Sequence, residues 1–104
     1  MPKFMFAYHG GAMPETEEEG ARMMAAWNDW YSAMGGALVD GGAPVGKSMT
    51  VSGSGVTDHG GANPLSGYTV VQADTIEAAC DMAKGCPIIS DGSGSVEVAP
   101  VIDM

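Results

Sequence analysis

Twice along this chain a strand-sized run of apolar and β-branched residues hands over to a capped helix, and that repeated order restricts what the chain can fold into. Phe4-Met-Phe-Ala-Tyr8, closed by His9-Gly10-Gly11, has the profile of a strand with apolar groups on both faces, stopped by glycines. Thr16-Glu17-Glu18-Glu19 is a capping box, in which Thr16 accepts from the backbone of Glu19 and Glu19 returns the bond. The helix it opens is expected to run to about Met34 and stop at Gly35-Gly36. Met23, Trp27, Trp30 and Met34 form its apolar stripe, which Met24 and Tyr31 widen.

Ala37-Leu38-Val39 starts a second strand, which is expected to break at Asp40-Gly-Gly-Ala-Pro44 and resume around Ser48 to Val51. The glycine- and serine-rich stretch from Ser52 to Gly67 reads as a long connection with some hairpin character. Tyr68 to Ala73 has the β-branched density of a central strand, and Asp74 followed by Glu77 reads as the N-cap of a second helix. Ile76, Ala79, Cys80 and Ala83 are its stripe, Gly85 its C-terminal glycine, and Ser95 to Ile102 alternates as a last strand.

Two strand-helix-strand halves joined by right-handed crossovers predict an α+β fold: a ferredoxin-like βαββαβ sandwich, with an antiparallel sheet and two helices on one face. At 104 residues this is one domain, spanning 1–104. The helices cover one face only, whereas Tyr68, Val70 and Gln72 alternate with Thr69, Val71 and Ala73, so both faces of a central strand carry apolar groups. A second copy of the chain is the simplest cover, and a homodimer is expected.

Thirteen acidic residues against four basic ones give a net charge of -9, which repels phosphate backbones and anionic lipid. Nucleic acid and membrane surfaces are therefore excluded as partners. No apolar run approaches membrane-spanning length and the N-terminus has no long apolar leader, so the expected location is cytoplasmic. Cys80 and Cys86 match neither a zinc ribbon nor a secreted disulfide framework and read as reduced thiols.

Gly41-Gly-Ala-Pro-Val-Gly46-Lys47-Ser48 satisfies the phosphate-binding loop pattern letter for letter. That motif works only when its lysine and serine open a helix, and Ser48-Met-Thr-Val-Ser-Gly53 is β-branched and glycine-broken. The match is coincidental. An anion site at the His9-Gly10-Gly11 turn is opposed by Glu15, Glu17, Glu18 and Glu19.

His9 and His59 alone have ordinary pKa values suited to acid-base work near neutrality, with Asp40 and Asp58 as nearest helpers. His9, at the end of a strand, and Asp40 are the candidate catalytic residues; His59 reads as a solvated loop residue. No third ligand accompanies the two histidines, so neither a metal nor another cofactor is expected. Tyr8, Trp27, Ser66 and Tyr68 are the candidate ligand-binding residues. Trp27, Trp30, Tyr31 and Tyr68 either line a flat pocket for a small apolar or aromatic molecule or simply fill the core. Cys86, beyond the end of the second helix, is a poor nucleophile because the helix dipole there disfavours a thiolate.

Phe6-Ala-Tyr-His-Gly-Gly11, Trp27-Asn-Asp-Trp30, Gly36-Ala-Leu-Val-Asp-Gly-Gly-Ala-Pro-Val-Gly46 and Gly61-Ala-Asn-Pro-Leu-Ser-Gly-Tyr68 together resemble the YCII-related domain family. Ala83-Lys-Gly-Cys-Pro87 and Val96-Glu-Val-Ala-Pro100 extend the resemblance over nearly the whole chain. It implies a dimeric α/β barrel, in which two ferredoxin-like sheets face one another as in muconolactone isomerase. It also implies an acid-base pair, a histidine on the first helix with an aspartate beyond the second strand, and relatives that include a dehydrochlorinase. Those positions fall near Ala25 and near Lys47-Ser48 here, so the pair is absent and none of it carries over.

Three functions stay open on this reading. The first is an enzyme performing proton transfer, isomerisation or elimination on a cyclic or aromatic metabolite, with His9 or Asp40 as base. The second is a non-catalytic dimer that binds a small ligand or protein partner, and the third is an accessory domain.

Overall fold

The computed structural model describes all residues from Met1 to Met104. Its main sheet has four strands: β1 (Lys3–Gly10), β2 (Leu38–Pro44), β5 (Leu65–Gln72) and β6 (Gly94–Pro100). They lie in the order β2-β5-β1-β6, every pair antiparallel, as a ferredoxin-like sandwich requires. Helices α1 (Glu17–Met34) and α2 (Ile76–Ala83) cover one face, and a two-stranded hairpin, β3 (Thr50–Ser52) with β4 (Gly55–Thr57), stands apart. The chain thus has the predicted fold.

Strand alternation sets the core. Phe4, Phe6 and Tyr8 on β1 oppose Val71, Thr69 and Gly67 on β5 and Pro100, Val98 and Val96 on β6, and this parity faces the helices. Trp30 from α1, Ala79 and Ala83 from α2, Cys86 and Ile88 complete the buried cluster. The other parity of β1 and β5 holds Lys3, Met5, Ala7, His9, Tyr68, Val70 and Gln72; no helix packs on it, although Ala7 and His9 are buried there, His9 against the carbonyls of Asn63 and Pro64. Met5 and Tyr68 are each 38% exposed there.

This one-sided core makes a slab of 43 × 43 × 19 Å with a radius of gyration of 14.8 Å, where a compact chain of this length has about 13 Å. Its surface is 6734 Å², against about 5,500 Å² for a typical folded monomer of the same mass. The excess of about 1,200 Å² is comparable with what one partner contributes to a permanent dimer interface.

Several local expectations change. Thr16 caps α1 by accepting from the Glu19 amide, but the Glu19 carboxylate reaches the Glu15 amide, not the cap's own N–H. Met24 is solvent-exposed, so the α1 stripe is narrower than its hydropathy suggests. Thr75, not Asp74, caps α2, accepting from the Ala78 amide. Ile76 in that helix is also exposed.

Gly85 does not adopt a left-handed cap. Its value is closeness, because a Cβ there would lie 3.2 Å from Trp30 Cδ1. The chain then makes a further helical turn, α3 (Pro87–Ser90), with Cys86 as N-cap and Pro87 in its first turn, where a proline favours a helix start.

Strand β2 runs through Asp40–Pro44 instead of breaking there, and residues 48–51 are no part of it. Two register shifts, between Leu38 and Asp40 and between Asp40 and Ala43, absorb the glycines as bulges. Asp40 Oδ1 accepts from the Gly42 amide at 2.8 Å, and Gly42 has φ +67°. A Cβ on Gly42 would collide with the Tyr68 carbonyl, so only glycine lets β2 approach β5 here. Gly42→Ala is expected to destabilise the fold by at least about 2 kcal/mol in urea unfolding. Gly36→Ala, where nothing lies within 4 Å and φ is not positive, should stay within about 0.5 kcal/mol of wild type.

Candidate functional site

Where α1 crosses β1, four aromatic rings converge. Trp27 stands edge-on to Tyr8 with centroids 5.2 Å apart, and Trp30 is edge-on to both, at 5.6 Å from Trp27 and 6.4 Å from Tyr8. Tyr31 sits 5.9 Å from Trp27 and 5.6 Å from Trp30. The i, i+3 and i+4 spacing of Trp27, Trp30 and Tyr31 puts them on one side of α1, and β1 alternation turns Tyr8 toward them. The Trp30 indole N–H donates to the Met82 carbonyl at 3.0 Å, tying α1 to α2.

A hydroxyl chain runs behind the rings. Tyr8 Oη donates to Thr69 Oγ1 at 2.7 Å, Thr69 Oγ1 donates to the Gly41 carbonyl at 3.0 Å, and Tyr31 Oη reaches the same carbonyl at 3.4 Å. Burial pushes the Tyr8 phenol far above its ordinary value, against the opposing effect of the Thr69 bond. Tyr8 is therefore a neutral donor at any physiological pH and cannot serve as a base.

On the outer side of Trp27 and Trp30 lies a groove of about 710 Å³ between α1 and α3. Met23 and Ala26 extend its α1 wall, Pro87 and Ile88 form the other, and Arg22, Asp29 and Asp91 add charge. This volume is in the range of small-molecule sites. Hydrogen bonds from Ser93 hold the Asp91 carboxyl below the ordinary carboxylate range, so it stays ionised.

His9 lies elsewhere, on the uncovered sheet face. Its Nδ1 faces the carbonyls of Asn63 at 2.9 Å and Pro64 at 3.2 Å, and its Nε2 faces Glu97 Oε1 at 2.9 Å. Both ring nitrogens thus meet acceptors, an arrangement satisfied fully only by the imidazolium. The Glu97 hydrogen bond, opposed by partial burial and helped by the two carbonyls, raises the His9 pKa above its ordinary value.

Of the residues singled out from sequence, the structure brings Tyr8, Trp27, Trp30 and Tyr31 together and places His9, Asp40, His59 and Tyr68 outside that cluster. Asp40 is opposite Val70, which is opposite Met5, so the Asp40 and His9 backbones are about 13 Å apart along the strands and about 10 Å across them. The two cannot share a proton within one chain. Ser66 falls at the register shift of β5 opposite Tyr8 and His9, and its carbonyl accepts from Val45. Tyr68 is on the uncovered face, opposite Ala7 and Ala43. The His59 ring accepts from the nearby Gly61 amide.

Cys86 is wholly buried, and burial pushes its thiol up to about 11, which makes it inert for a different reason from the one its sequence position suggested. No three His, Cys, Asp or Glu residues come together as metal ligands. No helix is long and apolar enough to cross a membrane. Tyr31 and Thr69 were missed as members of the hydroxyl chain. Thr69 could have been found as the one polar residue on the core parity of an otherwise apolar strand.

No family model and no curated protein matches the chain. Its fold does match a solved structure, the 5-chloro-2-hydroxyhydroquinone dehydrochlorinase of Burkholderia phenoliruptrix AC1100 in complex with 2,5-dihydroxybenzoquinone. The TM-score is 0.57 at 12% identity, covering 96% of this chain and 95% of that one. At this identity the likeness establishes the fold.

Two outcomes follow from the geometry. Thr69→Val leaves both the Tyr8 hydroxyl and the Gly41 carbonyl short of a partner and should cost about 1–3 kcal/mol in chemical denaturation. A histidine whose pKa is raised on folding stabilises fully below its unfolded value near 6.5 and loses that stabilisation as pH rises through the folded value. The urea midpoint should therefore fall as pH climbs through that window, and Glu97→Gln should flatten the fall.

Proposed function

We propose that residues 1–104 form one YCII-related domain that pairs as a cytoplasmic homodimer and binds a small cyclic or aromatic molecule at the Trp27 side of α1. The observation carrying this reading is the groove of about 710 Å³ whose α1 wall is Trp27 and Trp30, backed by the neutral Tyr8 hydroxyl chain. The part-exposed Trp27 indole suits a planar ligand, with Trp30 buried behind it, and the charged groups on the wall suit a polar substituent. The excess surface and the uncovered apolar sheet face support the homodimer. The fold neighbour, which holds 2,5-dihydroxybenzoquinone, supports the ligand class.

A second reading draws on the neighbour's own activity as a dehydrochlorinase. In it the protein is an enzyme of proton transfer, isomerisation or elimination. The substrate lies against the uncovered face near Ser66 and Tyr68, and His9 or Asp40 acts as base. His9 would first have to give up the proton that its three acceptors favour.

The two readings place the ligand on opposite sides of the sheet, which makes them separable by calorimetric titration with 2,5-dihydroxybenzoquinone. Trp27→Ala should weaken binding at least tenfold while Tyr68→Ala leaves it unchanged. The reverse pattern, joined by loss of turnover in His9→Ala or Asp40→Ala, would establish the second reading in its place.

A further inference from the structure

Between Pro44 and Leu65 the chain leaves the main sheet and builds the β3–β4 ribbon. Thr50 pairs with Thr57, Val51 with Val56 and Ser52 with Gly55. Directly opposed residues of a ladder project to the same side, so the ribbon has a valine face and a threonine-serine face. All six ladder positions are exposed, and neither strand packs closely on the main sheet. Val51 and Val56 are 78% and 63% exposed, and Met49, two residues before Val51, is 59% exposed. A lone two-stranded ribbon is marginal in water, and an apolar face on one adds nothing to its stability unless something covers it.

The base of the ribbon is nevertheless built. Thr50 Oγ1 donates to the His59 carbonyl at 2.7 Å, and Lys47 Nζ pairs with Asp58 Oδ2 at 3.3 Å. The returning chain is fastened at Asn63 and Pro64 by His9, which stands on the uncovered sheet face. The ribbon therefore springs from the margin of that face. Residues 46–63 contain one lysine and one aspartate, so the arm carries none of the chain's net charge of -9. It is a part of the molecule that a second acidic copy does not repel.

We infer that the valine face of the β3–β4 ribbon is an arm that packs on the second copy of this chain, continuing the contact between the two sheet faces; the inference rests on the homodimer reading above. The chain's surface exceeds that of a typical folded monomer by about 1,200 Å², on the scale one partner contributes to a permanent dimer, and an arm held clear of its own sheet is part of that excess. Two-fold symmetry uses the arm twice, so each valine counts twice in the dimer.

Sedimentation equilibrium of the full chain tests this with three proteins. Wild type should dimerise; the double variant Val51→Asp, Val56→Asp should dissociate at a concentration about a hundredfold higher, with unchanged far-ultraviolet circular dichroism. Thr50→Ser with Thr57→Ser, on the opposite face, should dimerise as wild type does. A valine-face variant with the wild-type dimer constant overturns the arm and leaves the homodimer standing. Wild type that is monomeric throughout overturns both, and a valine-face variant that dimerises normally but no longer binds 2,5-dihydroxybenzoquinone reassigns the ribbon to the ligand.

Discussion

The packing of Trp30 between the two halves of the chain is the contact on which the rest of the structure depends. Its ring stacks on Phe6 at 6.1 Å and 17°, its indole N–H holds the end of α2 through Met82, and its edge lies so close to Gly85 that a Cβ there would stand 3.2 Å from it. One residue thus joins α1, β1 and α2 in a chain that has only 14 buried residues with which to define its core. With so few, each large ring carries a large share of the burial that opposes chain entropy. The position of Trp27, one turn earlier, follows from that of Trp30, and with it the wall of the groove.

The molecule separates two kinds of surface. On the helix side the Thr69 and Tyr31 hydroxyls meet at the Gly41 carbonyl, and the Tyr8 hydroxyl joins them through Thr69. On the opposite side Lys3, Asp40, Gln72 and Ser95 stand around the Met5, Val70 and Tyr68 surface, and His9 and Glu97 cross-link β1 and β6. A charge pair at the edge of an apolar face gives register more than energy, because Glu97 itself remains largely in water.

The architecture was legible in the sequence because its signals are local. The apolar run of β1, the alternation on β6, the Thr16 cap and the Gly35 stop each act over a few residues, and each appears where expected. The path of β2 was not legible, since bulges arise from pairing with β5 and the glycines that enable them read equally well as a break. The candidate site was half legible. Tyr8 and Trp27 share a face by simple periodicity, but whether His9 and Asp40 meet depends on register across three strands, which no local pattern encodes. His9 was visible as a titratable residue, while its three acceptors come from segments more than 50 positions away.

The bulge at Asp40–Gly42 belongs to both sides of the sheet at once. The Gly41 carbonyl receives the buried hydroxyls, while the neighbouring residues Asp40 and Ala43 pair with Val70 and Tyr68 of the uncovered face. Because Gly42 already touches the Tyr68 backbone, there is no slack between the two. One three-residue bulge therefore sets both the acceptor for the buried hydroxyls and the seating of the edge strand beside Tyr68, so a side chain at position 42 would disturb the two faces together.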